Sequence, residues 1–116
     1  MKQMLRRLKE KLDANLNYNQ IALDALQRAE TAYETMGQDT TKLQTRLDQA
    51  QEAYNYAEDA YNAGNTALET GDTDTAIKNY NQAARRMAVT AGFILKAQQM
   101  VDMLQAENYY SPTYQN

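Results

Sequence analysis

The 116-residue sequence contains no cysteine, no histidine and a single proline, Pro112. Without cysteine there is no disulfide framework, no thiolate metal site and no cysteine nucleophile. Without histidine the commonest general base is gone, and so is the commonest ligand of catalytic zinc or non-haem iron. With proline confined to the C-terminal tail, no ring interrupts a helix elsewhere. No apolar run approaches the ~18 to 20 residues of a membrane span. The basic N-terminus is not followed by the uninterrupted apolar stretch of a secretory signal. The expected location is cytoplasmic, or the virion if the chain is phage-encoded.

Large aliphatic residues are also scarce. Leu, Ile, Val and Phe together number 17, a share below the ~20% that accompanies disorder when net charge is high. Net charge is only −3, and 18 alanines, nine tyrosines and six methionines add apolar surface. An ordered single domain with a core of modest size follows. Charge is unevenly spread. Lys2, Arg6, Arg7, Lys9 and Lys11 against Glu10 give the first eleven residues +4, so the remainder carries −7. A nucleic-acid binder needs many spread Lys/Arg contacts, so nucleic acid is not an expected partner except through this basic N-terminus.

Two glycine-centred breaks divide the chain, Met36-Gly37-Gln38-Asp39-Thr40-Thr41 and Thr70-Gly71-Asp72-Thr73-Asp74. Each glycine suits a left-handed C-cap, and Asp39, Thr40 or Asp72 can cap the helix that follows. The expected fold is all-α: three long helices at about 3–36, 40–70 and 73–108 in an antiparallel up-down-up bundle with an alanine-rich seam. Residues 1–108 form the domain, and 109–116 a tyrosine-rich tail.

The second helix carries the clearest pattern. Leu43, Leu47, Ala50, Tyr54, Ala57, Tyr61, Gly64 and Leu68 alternate spacings of four and three without a miss. Ala53, Ala60 and Ala67 run beside them. Such periodicity marks a left-handed coiled-coil seam. Small residues let a partner backbone approach closely, and exposed edges of Tyr54 and Tyr61 could receive a protein partner. The third helix answers with Tyr80, Met87, Ile94 and Val101 at sevens, and with Phe93, Leu95, Met100 and Met103 beside the main row. The first shows Leu5, Leu8, Leu12 and Leu16, then a row shifted to Tyr18, Ile21/Ala22, Ala25, Ala29, Ala32/Tyr33 and Met36, with Asn15 and Asn19 where it changes.

Gly64-Asn65, Gly71-Asp72, Ala76-Ile77, Tyr80 and Ala83 stand at spacings that make residues 57–90 resemble one tetratricopeptide repeat, a helix-turn-helix unit of about 34 residues. The resemblance covers less than a third of the chain and departs from the family at Ala60, Ala63 and Val89. It implies peptide or protein binding rather than catalysis.

Carboxylates are the only candidates for acid–base work. Adjacent helical residues such as Glu58 and Asp59 point apart. Asp72 and Asp74 suit a turn and cap, and a calcium loop needs a longer run of oxygen ligands. A di-iron bundle needs Glu-x-x-His pairs, which this chain cannot form. No catalytic residue, cofactor or metal is expected.

Candidate contact residues are therefore of two kinds. Tyr54, Tyr61, Arg85, Arg86, Phe93, Met100, Met103, Tyr109, Tyr110 and Tyr114 are candidates for protein contact; Lys2, Arg6, Arg7, Lys9 and Lys11 for an anionic partner. One of Arg85 and Arg86 must approach the seam or its rim. An alanine-rich seam buries less area than a leucine seam, so self-association or a larger complex is expected. The reading is a non-enzymatic structural or assembly protein, of a composition that would suit a phage virion component. The alternative is an adaptor or inhibitor of one protein, built as a tetratricopeptide-like hairpin or a phage-encoded antagonist of a host protein.

Overall fold

The computed structural model describes residues 2 to 110. They form three helices, α1 (Lys2–Thr35), α2 (Thr41–Glu69) and α3 (Thr73–Tyr110), joined by two short connections. Helix α3 continues through Tyr109 and Tyr110, two residues past its expected end. Cross-helix bonds set the directions. Asp13 and Gln27 of α1 meet Tyr61 and Gln44 of α2, so these two run antiparallel. Asn19 and Gln38 meet Met87 and Leu104, so α3 runs parallel to α1. The result is an up-down-up bundle 65 Å long and about 20 Å wide, with α2 and α3 packed on each other more extensively than either is on α1.

Both connections are built alike. Gly37 and Gly71 take φ of 85° and 82°, the left-handed region. At the first, Gln38 N–H bonds to Tyr33 O and Gly37 N–H to Glu34 O; at the second, Asp72 N–H bonds to Ala67 O and Gly71 N–H to Leu68 O. Each is a Schellman closure. An aspartate then starts the next helix. Asp39 accepts from the Thr41 N–H and hydroxyl, and Asp72 from the Thr75 N–H and hydroxyl. These bonds hold both carboxyls below the usual aspartate range.

The α2 seam forms as its periodicity predicts: Leu43, Leu47, Ala50, Tyr54, Ala57, Tyr61 and Gly64 are buried, and Leu68 packs half-buried against them. On α3, Ala76, Tyr80, Ala83, Met87, Thr90, Ala97, Val101 and Leu104 complete it at alternating threes and fours, with Ile94 half-buried between. The closest approach is at Gly64. A Cβ there would stand 2.6 Å from Cδ1 and Cε1 of Tyr80, a ring with no exposure at all. The Tyr80 hydroxyl donates to Asn65 Oδ1, and Tyr61 packs tilted beside it with ring centroids 6.1 Å apart.

The row expected on α1 is corrected. Tyr18, Ile21, Ala25, Ala32 and Met36 are exposed, while Ala22, Ala29 and Tyr33 are half-buried at the edge of the core; the seam itself continues from Leu16 through Asn19, Leu23, Leu26 and Glu30. Two polar residues hold core positions because each finds a partner. Asn19 Nδ2 lies 3.8 Å from Met87 Sδ. The Thr40 hydroxyl donates to Glu30 Oε1 at 3.1 Å, and Gln27 Nε2 lies 3.5 Å from Glu30 Oε2. Burial first, then the neighbouring Glu34 and Asp48, pushes the Glu30 carboxyl above its ordinary range.

Gly64→Ala should overpack the crossing by about 1–3 kcal/mol, outweighing the ~1 kcal/mol helix-propensity gain. Gly92→Ala, with nothing within 4 Å of its Cβ, should show that gain alone. Melting curves are expected to move in opposite directions, by several degrees for ~1 kcal/mol.

Glu30 makes a pH prediction of definite sign. Its folded pKa is raised, so the native state holds the proton more tightly than the unfolded chain. Stability from this group is lost as pH rises through the folded value. Glu30→Gln should therefore raise the melting temperature at pH 7 and flatten its pH dependence above the ordinary carboxylate range. Asp39 and Asp72 act with opposite sign, but only below about pH 4.

Candidate interaction surface

The heptad row of α3 leaves a second row one position N-terminal to each core residue. It runs Arg86, Val89, Phe93, Lys96, Met100, Met103 and Glu107, again by threes and fours. On a helix such residues share one edge. This edge faces α2, and between the two lies an outer groove to which α1 contributes no side chain. Its upper part, of about 240 Å³, is walled by Gln49, Glu52, Ala53 and Tyr56 of α2 against Arg86, Val89 and Phe93. Its lower part, of about 260 Å³, is walled by Asp39, Lys42 and Leu43 against Met100, Met103, Leu104 and Glu107.

The floor is apolar and the rim charged with both signs. Phe93 and Met100 are half-buried, while Val89 and Met103 are exposed at 43% and 63%. The Arg86 guanidinium sits 4.6 Å from the Tyr56 ring centre, and Lys96 Nζ lies 5.9 Å above Phe93. At partly solvated sites such cation–π contacts are worth about 0.5–1 kcal/mol. They cover the aromatic faces without neutralising the cations. Of the arginine pair it is Arg86 that reaches the rim; Arg85 is exposed and bonds Gln82 at 2.9 Å.

The structure thus brings Arg86, Phe93, Met100 and Met103 onto one surface and adds Tyr56, which sequence reasoning passed over. Tyr54 and Tyr61 do not belong to it. Both are buried, at 6% and 7% exposure, with the Tyr61 hydroxyl donating to Asp13 at 3.2 Å, so they serve the core rather than a partner. Burial pushes both hydroxyls above the ordinary tyrosine range. Tyr109 and Tyr110 continue the helical backbone of α3, and Tyr114 lies outside the described residues.

Lys2, Arg6, Arg7 and Lys11 are exposed and Lys9 half-buried. With Asp13 level with Tyr61, this basic turn lies at the bundle end that also carries Glu69, Asp72 and Asp74. Opposite charges at one end offset each other's field within a Debye length. The arrangement favours no isolated anion site. At the other end Glu30, Glu34, Asp39 and Asp48 line an open polar crevice. Among the described residues no acidic cluster is placed to hold a metal ion, and no helix is long and apolar enough to cross a membrane.

Gly64 and Tyr80 form the crossing, with Ala76 and Ala83 buried on either side. Both helices extend well beyond this crossing, α2 passing unbroken through Ala57. No protein family matches the chain, and no curated protein or solved structure matches it either.

Proposed function

We propose that this chain is a non-enzymatic assembly protein that works by packing its helices into a larger complex, and that the α2/α3 groove receives an amphipathic helix from a protein partner. The observation that carries this reading is the second apolar row of α3. Val89, Phe93, Met100 and Met103 lie along one edge of the best-packed helix pair, and α2 supplies a wall of mixed charge opposite them. An incoming helix recognises such a groove with residues at i, i+3, i+4 and i+7, its polar edges meeting the charged rim. The core beneath the groove is formed by the buried Leu43, Ala50 and Ala53 of α2 with Thr90, Ala97 and Leu104 of α3.

Val89→Glu with Met103→Glu tests the reading. Both side chains are exposed, so each change should alter stability by no more than about 0.5 kcal/mol. In native extracts fractionated by size, the parent chain is expected in a high-mass fraction and the double variant at its own mass, with unchanged circular dichroism. A parent that elutes alone at 13.2 kDa, or a variant that stays with the complex, would overturn the proposal.

A further inference from the structure

The charges of the α2/α3 groove are sorted along its length. Gly64 against Tyr80 and Tyr56 against Arg86 set the antiparallel register of the two helices. In that register Arg46 comes level with Lys96, and Lys42 with Met100. On α2 the groove row stands one position N-terminal to the core residues, as Lys42, Arg46, Gln49, Ala53 and Tyr56. Lys42 walls the lower part. Arg46 donates at 2.9 Å to Gln49, which walls the upper part, and Lys96 stands over Phe93. Three cations thus gather within about two turns, ~9 Å, where the two parts join.

The carboxylates of the groove flank that stretch. Asp39 and Glu107 stand at the lower mouth, and Glu52 belongs to the upper part. Within the stretch the contacts of the cations are neutral, an amide for Arg46 and a ring for Lys96. Asp39, the groove carboxylate nearest Lys42 in the chain, accepts from the Thr41 N–H and hydroxyl. An apolar helix laid on Phe93, Met100 and Met103 strips water from these cations. Without opposing carboxylates that desolvation weakens docking, and with them it strengthens each pair. The alanine-rich α1/α3 face, where Tyr18, Ile21 and Leu95 are exposed, has no such pattern to select a partner.

We infer that the helix received by the groove is acidic over its central turns, with glutamate or aspartate flanking its apolar anchors opposite Lys42, Arg46 and Lys96. The inference rests on the assembly reading and names the chemistry of its partner. Nucleic acid is the other polyanion that three cations attract, and the groove is poorly made for it. Asp39, Glu52 and Glu107 border the cations and repel a phosphate backbone. The aromatic faces on which a base stacks are covered, Tyr56 by Arg86 and Phe93 by Lys96.

Two synthetic helical peptides of about 18 residues, with the same leucine anchors but glutamate flanks in one and lysine flanks in the other, provide the test. Each is titrated against the full chain by fluorescence anisotropy. An exposed ion pair changes affinity by up to about fivefold, so three opposed pairs should favour the glutamate peptide by on the order of tenfold. The net charge of −3 by itself favours the lysine peptide. The gap should close in about 0.5 M salt. Lys42→Glu with Lys96→Glu, both exposed, should reverse the preference with unchanged circular dichroism. Val89→Ser with Met103→Ser, which alters the apolar edge and no charge, should weaken the glutamate peptide. Binding of neither peptide, equal binding of both, or a glutamate preference that survives Lys42→Glu/Lys96→Glu would overturn the inference. So would tighter binding of a single-stranded oligonucleotide that Lys42→Glu/Lys96→Glu abolishes. Failure of the assembly reading shows elsewhere, as a parent chain that elutes alone from native extracts.

Discussion

Tyr80 lays its ring against the bare backbone of Gly64 and gives its hydroxyl to the adjacent Asn65, so one side chain sets both the spacing and the rotation of α2 against α3. Much else follows from that spacing. At helices held so close, small residues fill the positions flanking the crossing, and Ala57, Ala76 and Ala83 are almost wholly buried there. Alanine layers remove little area from water. The bulk comes from the third element: Leu5, Leu12, Leu16, Leu23 and Leu26 of α1 supply most of the buried leucine. The hairpin provides geometry and α1 provides volume.

That division explains what the sequence showed and what it hid. On α2 every seam position is apolar or small, so its period is readable from Leu43 to Leu68. On α1 two seam positions hold Asn19 and Glu30. A hydropathy pattern breaks at each of them and prefers the neighbouring row from Tyr18 to Met36, of which only Ala22, Ala29 and Tyr33 reach the edge of the core. Burial of Asn19 and Glu30 is tolerable only because Met87 and Thr40 meet them. Those partners stand 68 and 10 residues away in the chain, beyond any local pattern.

The groove was legible to the same degree. Phe93, Met100 and Met103 stand out as a second apolar row on α3. Its opposite wall of Lys42, Gln49 and Tyr56 does not, because which flank of α3 meets α2 depends on the sense in which the bundle turns. Tyr54 and Tyr61 were misread for a related reason. Tyrosine joins an apolar body to a polar tip, and a chain of letters cannot say whether the tip reaches a rim residue such as Asp13 or open water.

A three-helix bundle has three outer grooves, and here they differ in kind. The α1/α2 groove is polar, lined by Asp13, Asn17, Glu58 and Asn62 at one level and by Glu30, Glu34 and Asp48 at another. The α2/α3 groove has an apolar floor within a charged rim. The α1/α3 face is flat, alanine-rich and without charge from Asn15 to Met36. A chain facing only water would gain solubility from polar residues on all three, at no cost to its core. Single exposed hydrophobics are ordinary on any surface, but rows of them at helical spacing are not what scatter produces. The two apolar surfaces both involve α3, the longest helix, while the polar groove is the one that excludes it. That asymmetry makes α3 the helix common to both apolar surfaces, with α2 and α1 each forming the other side of one.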